Sequence, residues 1–139
     1  MATILLVDDD VLTMSSYLEV LRAAGHDVTF ATSIHDACAA VAGRGTPFDR
    51  IIFDSVLPAG DGLFAPDFDP DTVLGGTILL RCLLASGYRA EQLLVLTNYP
   101  RCTQEHAPPV SLVLLRKRDY TPLQLVRYLA PAEEATTTP

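Results

Sequence analysis

Short apolar runs alternate along the chain with longer stretches whose apolar residues recur every three or four positions. Residues 4–7 are β-branched or leucine, and the run stops at three aspartates, Asp8, Asp9 and Asp10. A run that is apolar on both faces marks a parallel strand buried between helix layers. Over residues 11–24, Leu12, Met14, Tyr17, Leu18 and Leu21 fall at helical spacing, and Gly25 stands where a helix end favours a left-handed residue. Residues 27–31 read as a second strand. Ser33, with Asp36 three residues on, opens a helix over 34–41 that ends near Gly43.

The third strand, residues 50–53, closes on Asp54. The fourth, 93–96, closes on Thr97, and the fifth, 112–115, closes on Arg116 and Lys117. A helix over 77–86 lies between the third and fourth and ends at Gly87. After the fifth, Thr121, Pro122 and Gln124 supply an N-cap, a first-turn proline and the far end of a capping box. Leu123, Val126 and Leu129 or Tyr128 give this last helix its buried stripe. Strands alternating with helices predict an α/β domain with a parallel sheet covered on both faces. Two segments fit poorly: the Pro-, Asp- and Gly-rich stretch 63–76, and residues 99–109, where Pro100, Pro108 and Pro109 predict a short or irregular helix.

At 139 residues the chain has the length of one domain. It is long enough to bury roughly two-thirds of its unfolded surface. Hydrophobic residues make up 49% and charged residues 19%, a globular composition. The net charge of −7 argues against direct contact with nucleic acid or an anionic membrane, both of which call for clustered Lys and Arg. Cys38, Cys82 and Cys102 lie too far apart for a metal knuckle or a C-x-x-C pair and read as ordinary buried or half-buried thiols. His26, His35 and His106 have no ligand spacing. No apolar run reaches the ~20 residues of a membrane span, and Met1 leads straight into a strand-like run, so the expected compartment is the cytoplasm.

In an open parallel sheet, ligands sit beyond the carboxyl ends of the strands. Those ends carry Asp8, Asp9, Asp10, Asp54, Thr97 and Lys117. Clustered carboxylates repel unless a cation sits among them, and Mg²⁺ takes one or two carboxylates plus waters and a phosphoryl oxygen. The plainer reading of the three aspartates is that they cap the following helix, and Asp10 is the residue expected to do so. A carboxylate can attack a phosphoryl group to give an acyl phosphate. That chemistry calls for a metal, a fixed cation and a small donor, and Lys117 and Thr97 are of the right type.

Taken in order, ILLVDDD, FDRIIFDSVLP with GDG after it, LLVLT and LRK resemble the receiver domain of response regulators, the CheY-like module of two-component signalling. The likeness spans residues 4 to about 129. It implies a five-stranded, doubly wound, flavodoxin-like fold with a long insertion after the third strand. Residues 1–130 would form the receiver domain and 131–139 a flexible tail. It implies that Asp54 is the phosphoacceptor and that Asp8, Asp9, Asp54 and the backbone carbonyl of Val56 hold Mg²⁺. Thr97 would hydrogen-bond the phosphoryl group, Lys117 would pair with it, and Pro58 and Gly62 would match the turn after the acceptor.

Three features depart from the family pattern. Arg118 follows the lysine where the family has a cis proline; a cis bond without proline costs ~3 kcal/mol, so a trans path is expected. Leu114 replaces the family's switch aromatic. The stretch 63–76 replaces a short connection and reads as a solvated loop, or as a lid or partner surface. Asp67, Asp69 and Asp71 begin like a calcium loop, but Thr72 and Ile78 stand where its glycine and final acid belong.

The functional reading is therefore a single-domain receiver, a phosphoacceptor whose only catalysis is its own phosphorylation and dephosphorylation. Its donor would be a histidine kinase or phosphotransfer protein, and its output a downstream protein or its own dimer. The alternative is a receiver-like binding or scaffold module that no longer switches. A flavin domain is disfavoured because aspartates would repel its phosphate. An aspartyl phosphohydrolase would place a second acid where Val56 stands.

Overall fold

The computed structural model describes residues 2–55, 57, 75–98 and 112–129. Its elements are β1 (Thr3–Val7), α1 (Val11–Ala23), β2 (Asp27–Ala31), α2 (Ile34–Ala42), β3 (Arg50–Phe53), α3 (Gly75–Ala85), β4 (Leu93–Thr97), β5 (Val113–Arg116) and α4 (Pro122–Tyr128). One-turn 3-10 segments precede β4 and follow β5.

The five strands form one parallel sheet in the order β2-β1-β3-β4-β5. Side chains alternate across a strand, and here both faces are buried. Leu5, Val7, Ile51, Phe53, Leu93 and Val95 point into one core with Ile34, Ala37, Leu79, Leu80 and Leu83 of α2 and α3. Ile4, Leu6, Ile52, Leu94 and Leu96 point into the other, with Met14, Tyr17, Leu21 and Leu125 of α1 and α4; Leu125 and Leu129 anchor α4, whereas Leu123 and Tyr128 of the expected stripe are exposed. The continuous apolar strands of the sequence thus separate into two layers, each buried Leu or Ile contributing about 1.5–3 kcal/mol. This is the doubly wound α/β architecture expected.

Local signals set most of the helix ends. The Asp10 carboxylate accepts from the Thr13 N–H and caps α1, and Ser33 does the same for α2 through the Asp36 N–H. Thr121 and Gln124 form the reciprocal capping box of α4. Gly25 and Gly87 follow α1 and α3 with φ of +97° and +100°. The third helix begins two residues earlier than its periodicity suggests, because Gly75 and Gly76 form its first turn.

Residues 63–74 of the insertion expected over 63–76, the helix expected within 99–109, the tail 131–139, Val56, Pro58 and Gly62 lie outside the described residues. Among the described residues, no helix is long and apolar enough to cross a membrane.

Candidate phosphoacceptor site

The chain winds from β1 to β2 on one side and from β3 through β5 on the other. The carboxyl ends of β1 and β3 therefore meet at the point where the winding reverses, the usual ligand crevice of such a sheet. Val7 pairs with Phe53 in register, so the residues that follow them, Asp8 and Asp54, leave the sheet side by side. Backbone bonds hold both exits: the Asp54 N–H donates to the Val7 carbonyl at 3.1 Å, and the Asp8 N–H to the Ala31 carbonyl at 3.0 Å.

Lys117 joins them from the far edge. It follows Arg116, which pairs with Thr97 at the end of β4. Two interstrand spacings, about 10 Å, separate β5 from β3, and the lysine side chain spans the gap. Its Nζ donates to Asp54 Oδ2 at 2.8 Å and forms an ion pair with Asp8 Oδ2 at 2.6 Å. Both acids are buried, Asp8 at 1% and Asp54 at 7% exposure. One ammonium thus serves two buried carboxylates. Asp8 Oδ1 also accepts the Asp10 N–H at 2.9 Å.

Burial pushes the Asp8 carboxyl above its ordinary range, with the Asp54 charge adding to the effect and only partial relief from Lys117 and the Asp10 N–H. Burial would lower the Lys117 ammonium, but its contacts with Asp54 and Asp8 outweigh that and raise it. Lys117 is therefore a fixed cation between the two acids.

The donor set suits a hard divalent cation. It is all oxygen, and Asp8 Oδ2 is buried without an aligned hydrogen bond even though Nζ stands beside it. Asp9 is exposed, and among the described residues no three acid, histidine or cysteine groups are clustered to hold a metal. Asp8, Asp54 and Lys117 thus stand together, Asp9 stands at the rim, and Asp10 is the cap.

Thr97 ends β4 fully buried, and its Oγ1 lies 2.7 Å from Ser55 Oγ, which is also fully buried. Ser55 was not legible as a site residue; the only hint is that it follows Asp54 in the chain. Gly76 was also missed. Its N–H donates to the Ser55 carbonyl at 2.9 Å. A Cβ on Gly76 would stand 2.5 Å from Ser55 Cα and would overlap the Asp54 carbonyl oxygen. Only glycine lets α3 start against the Asp54–Ser55 backbone. Gly76→Ala should lower stability by roughly 2–3 kcal/mol, because its close neighbours are backbone and cannot yield as a flexible side chain would. A denaturant melt that matched wild type would disprove this packing.

The peptide linking Lys117 to Arg118 is trans, like every other bond in the described residues. This is the path expected without proline. Leu114 is half-buried and packs against the α2–α3 side of the sheet.

No protein-family model and no curated protein matches the chain. Solved structures do. The chemotaxis response regulator CheY4 of Vibrio cholerae is 23% identical, with a TM-score of 0.68 over 93% of this chain and 96% of that one. The receiver domain of the Erythrobacter litoralis response regulator PhyR is 19% identical, with a TM-score of 0.67 over 99% and 94%. A CheY-like receiver domain from Methanospirillum hungatei is 21% identical, with a TM-score of 0.64 over 96% and 93%. Sheet order, strand-end acids and these likenesses agree that the chain has the fold of the CheY-like response regulator receiver domains.

Proposed function

We propose that this protein is a response regulator receiver that accepts a phosphoryl group on Asp54. The observation that carries the reading is the pair of buried carboxylates, Asp8 and Asp54, at adjacent strand ends and bridged by one lysine. A structural ion pair does not need a second buried acid, whereas a site for a cation and a phosphoryl group does.

In the reaction, an Asp54 carboxylate oxygen attacks the phosphorus of the donor. The new O–P bond forms as the bond from phosphorus to the leaving group breaks, and the leaving group departs with the electron pair. Lys117 shifts from carboxylate to phosphoryl oxygen and neutralises charge there. The Thr97 hydroxyl, 2.7 Å from that of Ser55, would donate to another phosphoryl oxygen. Asp8, Asp9, Asp54 and the Val56 carbonyl would hold Mg²⁺, which supplies charge neutralisation for the transferring group. Turnover is confined to the protein's own phosphorylation and dephosphorylation. The donor would be a histidine kinase or phosphotransfer protein, and the output a protein partner or a second copy.

The test is to incubate the protein with a small acyl phosphate and Mg²⁺ and to weigh it intact. One phosphoryl mass is expected with Mg²⁺ and none when a chelator removes it. No gain under either condition would overturn the proposal. The second reading, a module that binds without switching, draws on Leu114, an aliphatic side chain packed where the family's aromatic would turn. It predicts a partner affinity that phosphorylation leaves unchanged.

A further inference from the structure

Lys117 does its work from a weakly supported piece of backbone. It lies one residue beyond the last β4–β5 pair, and among the described residues β5 is an edge strand with a neighbour on one side only. Residues Lys117–Asp119 form a single 3-10 turn, closed by one bond of 3.3 Å from the Tyr120 N–H to the Lys117 carbonyl. Arg118 offers none of the backbone restriction that proline would impose.

The restraint comes from another element. Tyr17, in the middle of α1 and 5% exposed, directs its hydroxyl at both ends of this turn. The oxygen lies 2.5 Å from the Tyr120 carbonyl oxygen and 3.3 Å from that of Lys117. A phenol has one proton to give, so Tyr120 is the main acceptor and Lys117 the second. Burial raises the Tyr17 hydroxyl above its ordinary range, which keeps it a donor. Tyr120 is braced in turn by an edge-to-face contact with Tyr128 of α4, with centroids 6.2 Å apart.

The same helix holds one of the two acids, Asp8. Its cap, Asp10, gives its N–H to Asp8 Oδ1, and Tyr17 follows about 10 Å further along the axis. One rigid helix therefore sets Asp8 at its start and the Lys117 turn two turns on. We infer that Tyr17 is a positioning residue that fixes Lys117 over Asp8 and Asp54 by tying its turn to α1, taking the place of a restraint within the loop. This rests on the phosphoacceptor reading of Asp54.

Tyr17→Phe keeps the ring and removes only the hydroxyl. Phosphoryl uptake from a small acyl phosphate should slow about tenfold, short of the ~100-fold that a full ångström of misplacement can cost. In a Lys117→Ala background the same change should have no further effect on the rate. Independently of phosphorylation, the Lys117 ζ-ammonium should give a slowly exchanging NMR signal in the wild type, and this should broaden in Tyr17→Phe. An unchanged ammonium signal would overturn the inference, as would an equal loss of rate with and without Lys117. If the wild type takes up no phosphoryl group, the acceptor role fails, while the ammonium signal still decides the role of Tyr17.

Discussion

Asp54→Ala should take up no phosphoryl group under conditions in which the wild type gains one, and it should do so without loss of fold. Among the described residues, Asp8 and Asp54 share the single ammonium of Lys117 in a buried pocket. Removing Asp54 leaves Lys117 with one carboxylate in place of two, a neutral pair, so like-charge repulsion falls. Stability should stay within about 1 kcal/mol of wild type or rise, since one ion pair is traded for one repulsion. Asp54→Asn should behave alike, because an amide lacks the anionic oxygen that attacks phosphorus. The measurements are intact mass after incubation with acyl phosphate and Mg²⁺, and a thermal melt. A variant that still gains the full phosphoryl mass would move the acceptor elsewhere. A variant that loses both the mass gain and its melting transition would leave the assignment to Asp54→Asn.

Lys117→Ala should have the opposite effect on stability. It strips the cation from two buried acids, and an uncompensated buried charge costs about 3–5 kcal/mol. The loss should depend on pH and on metal. In the wild type the Asp8 carboxyl is raised from 3.8, so its protonated form is the one that folding favours. Its contribution is present below 3.8 and is lost as pH rises through the raised value. Lys117 is raised from 10.5; its contribution holds below that value and is lost as pH rises through the folded one. With Lys117 gone, Asp8 faces Asp54 alone and takes a proton still more readily. The deficit should therefore be greatest at neutral pH and shrink on mild acidification. Mg²⁺ should also reduce it, by about 2.7 kcal/mol at a concentration one hundred times its dissociation constant. Denaturant midpoints at neutral and mildly acid pH, each with and without Mg²⁺, test this directly. A variant as stable as wild type at neutral pH in chelator would contradict the shared ion pair.

Much of the fold could be read along the chain because its signals are local. Four of the five strands, β2 excepted, are built on an apolar run that stops at a polar residue, and that stop marks the carboxyl end of the strand. Asp10, Ser33 and Thr121 cap the helices that follow them, as their side chains require within three residues. The candidate site residues were legible because the same stops hold them. Asp8, Asp54, Thr97 and Lys117 end their runs, and a parallel sheet sends all those ends to one rim.

What the chain alone could not decide is which ends adjoin and what each side chain touches. Asp8 and Asp54 meet because β1 pairs with β3 while β2 lies outside, an order set by how helices cover both faces. Asp8 is buried and Asp9 exposed because only Asp8 continues directly from the paired strand, a difference invisible among three identical letters. Ser55 against Thr97, Gly76 against the Asp54–Ser55 backbone, and Tyr17 against the Lys117 turn join residues 21 to 103 positions apart. No periodicity records such contacts, since they arise only when the layers close and each buried polar group must find its partner in three dimensions.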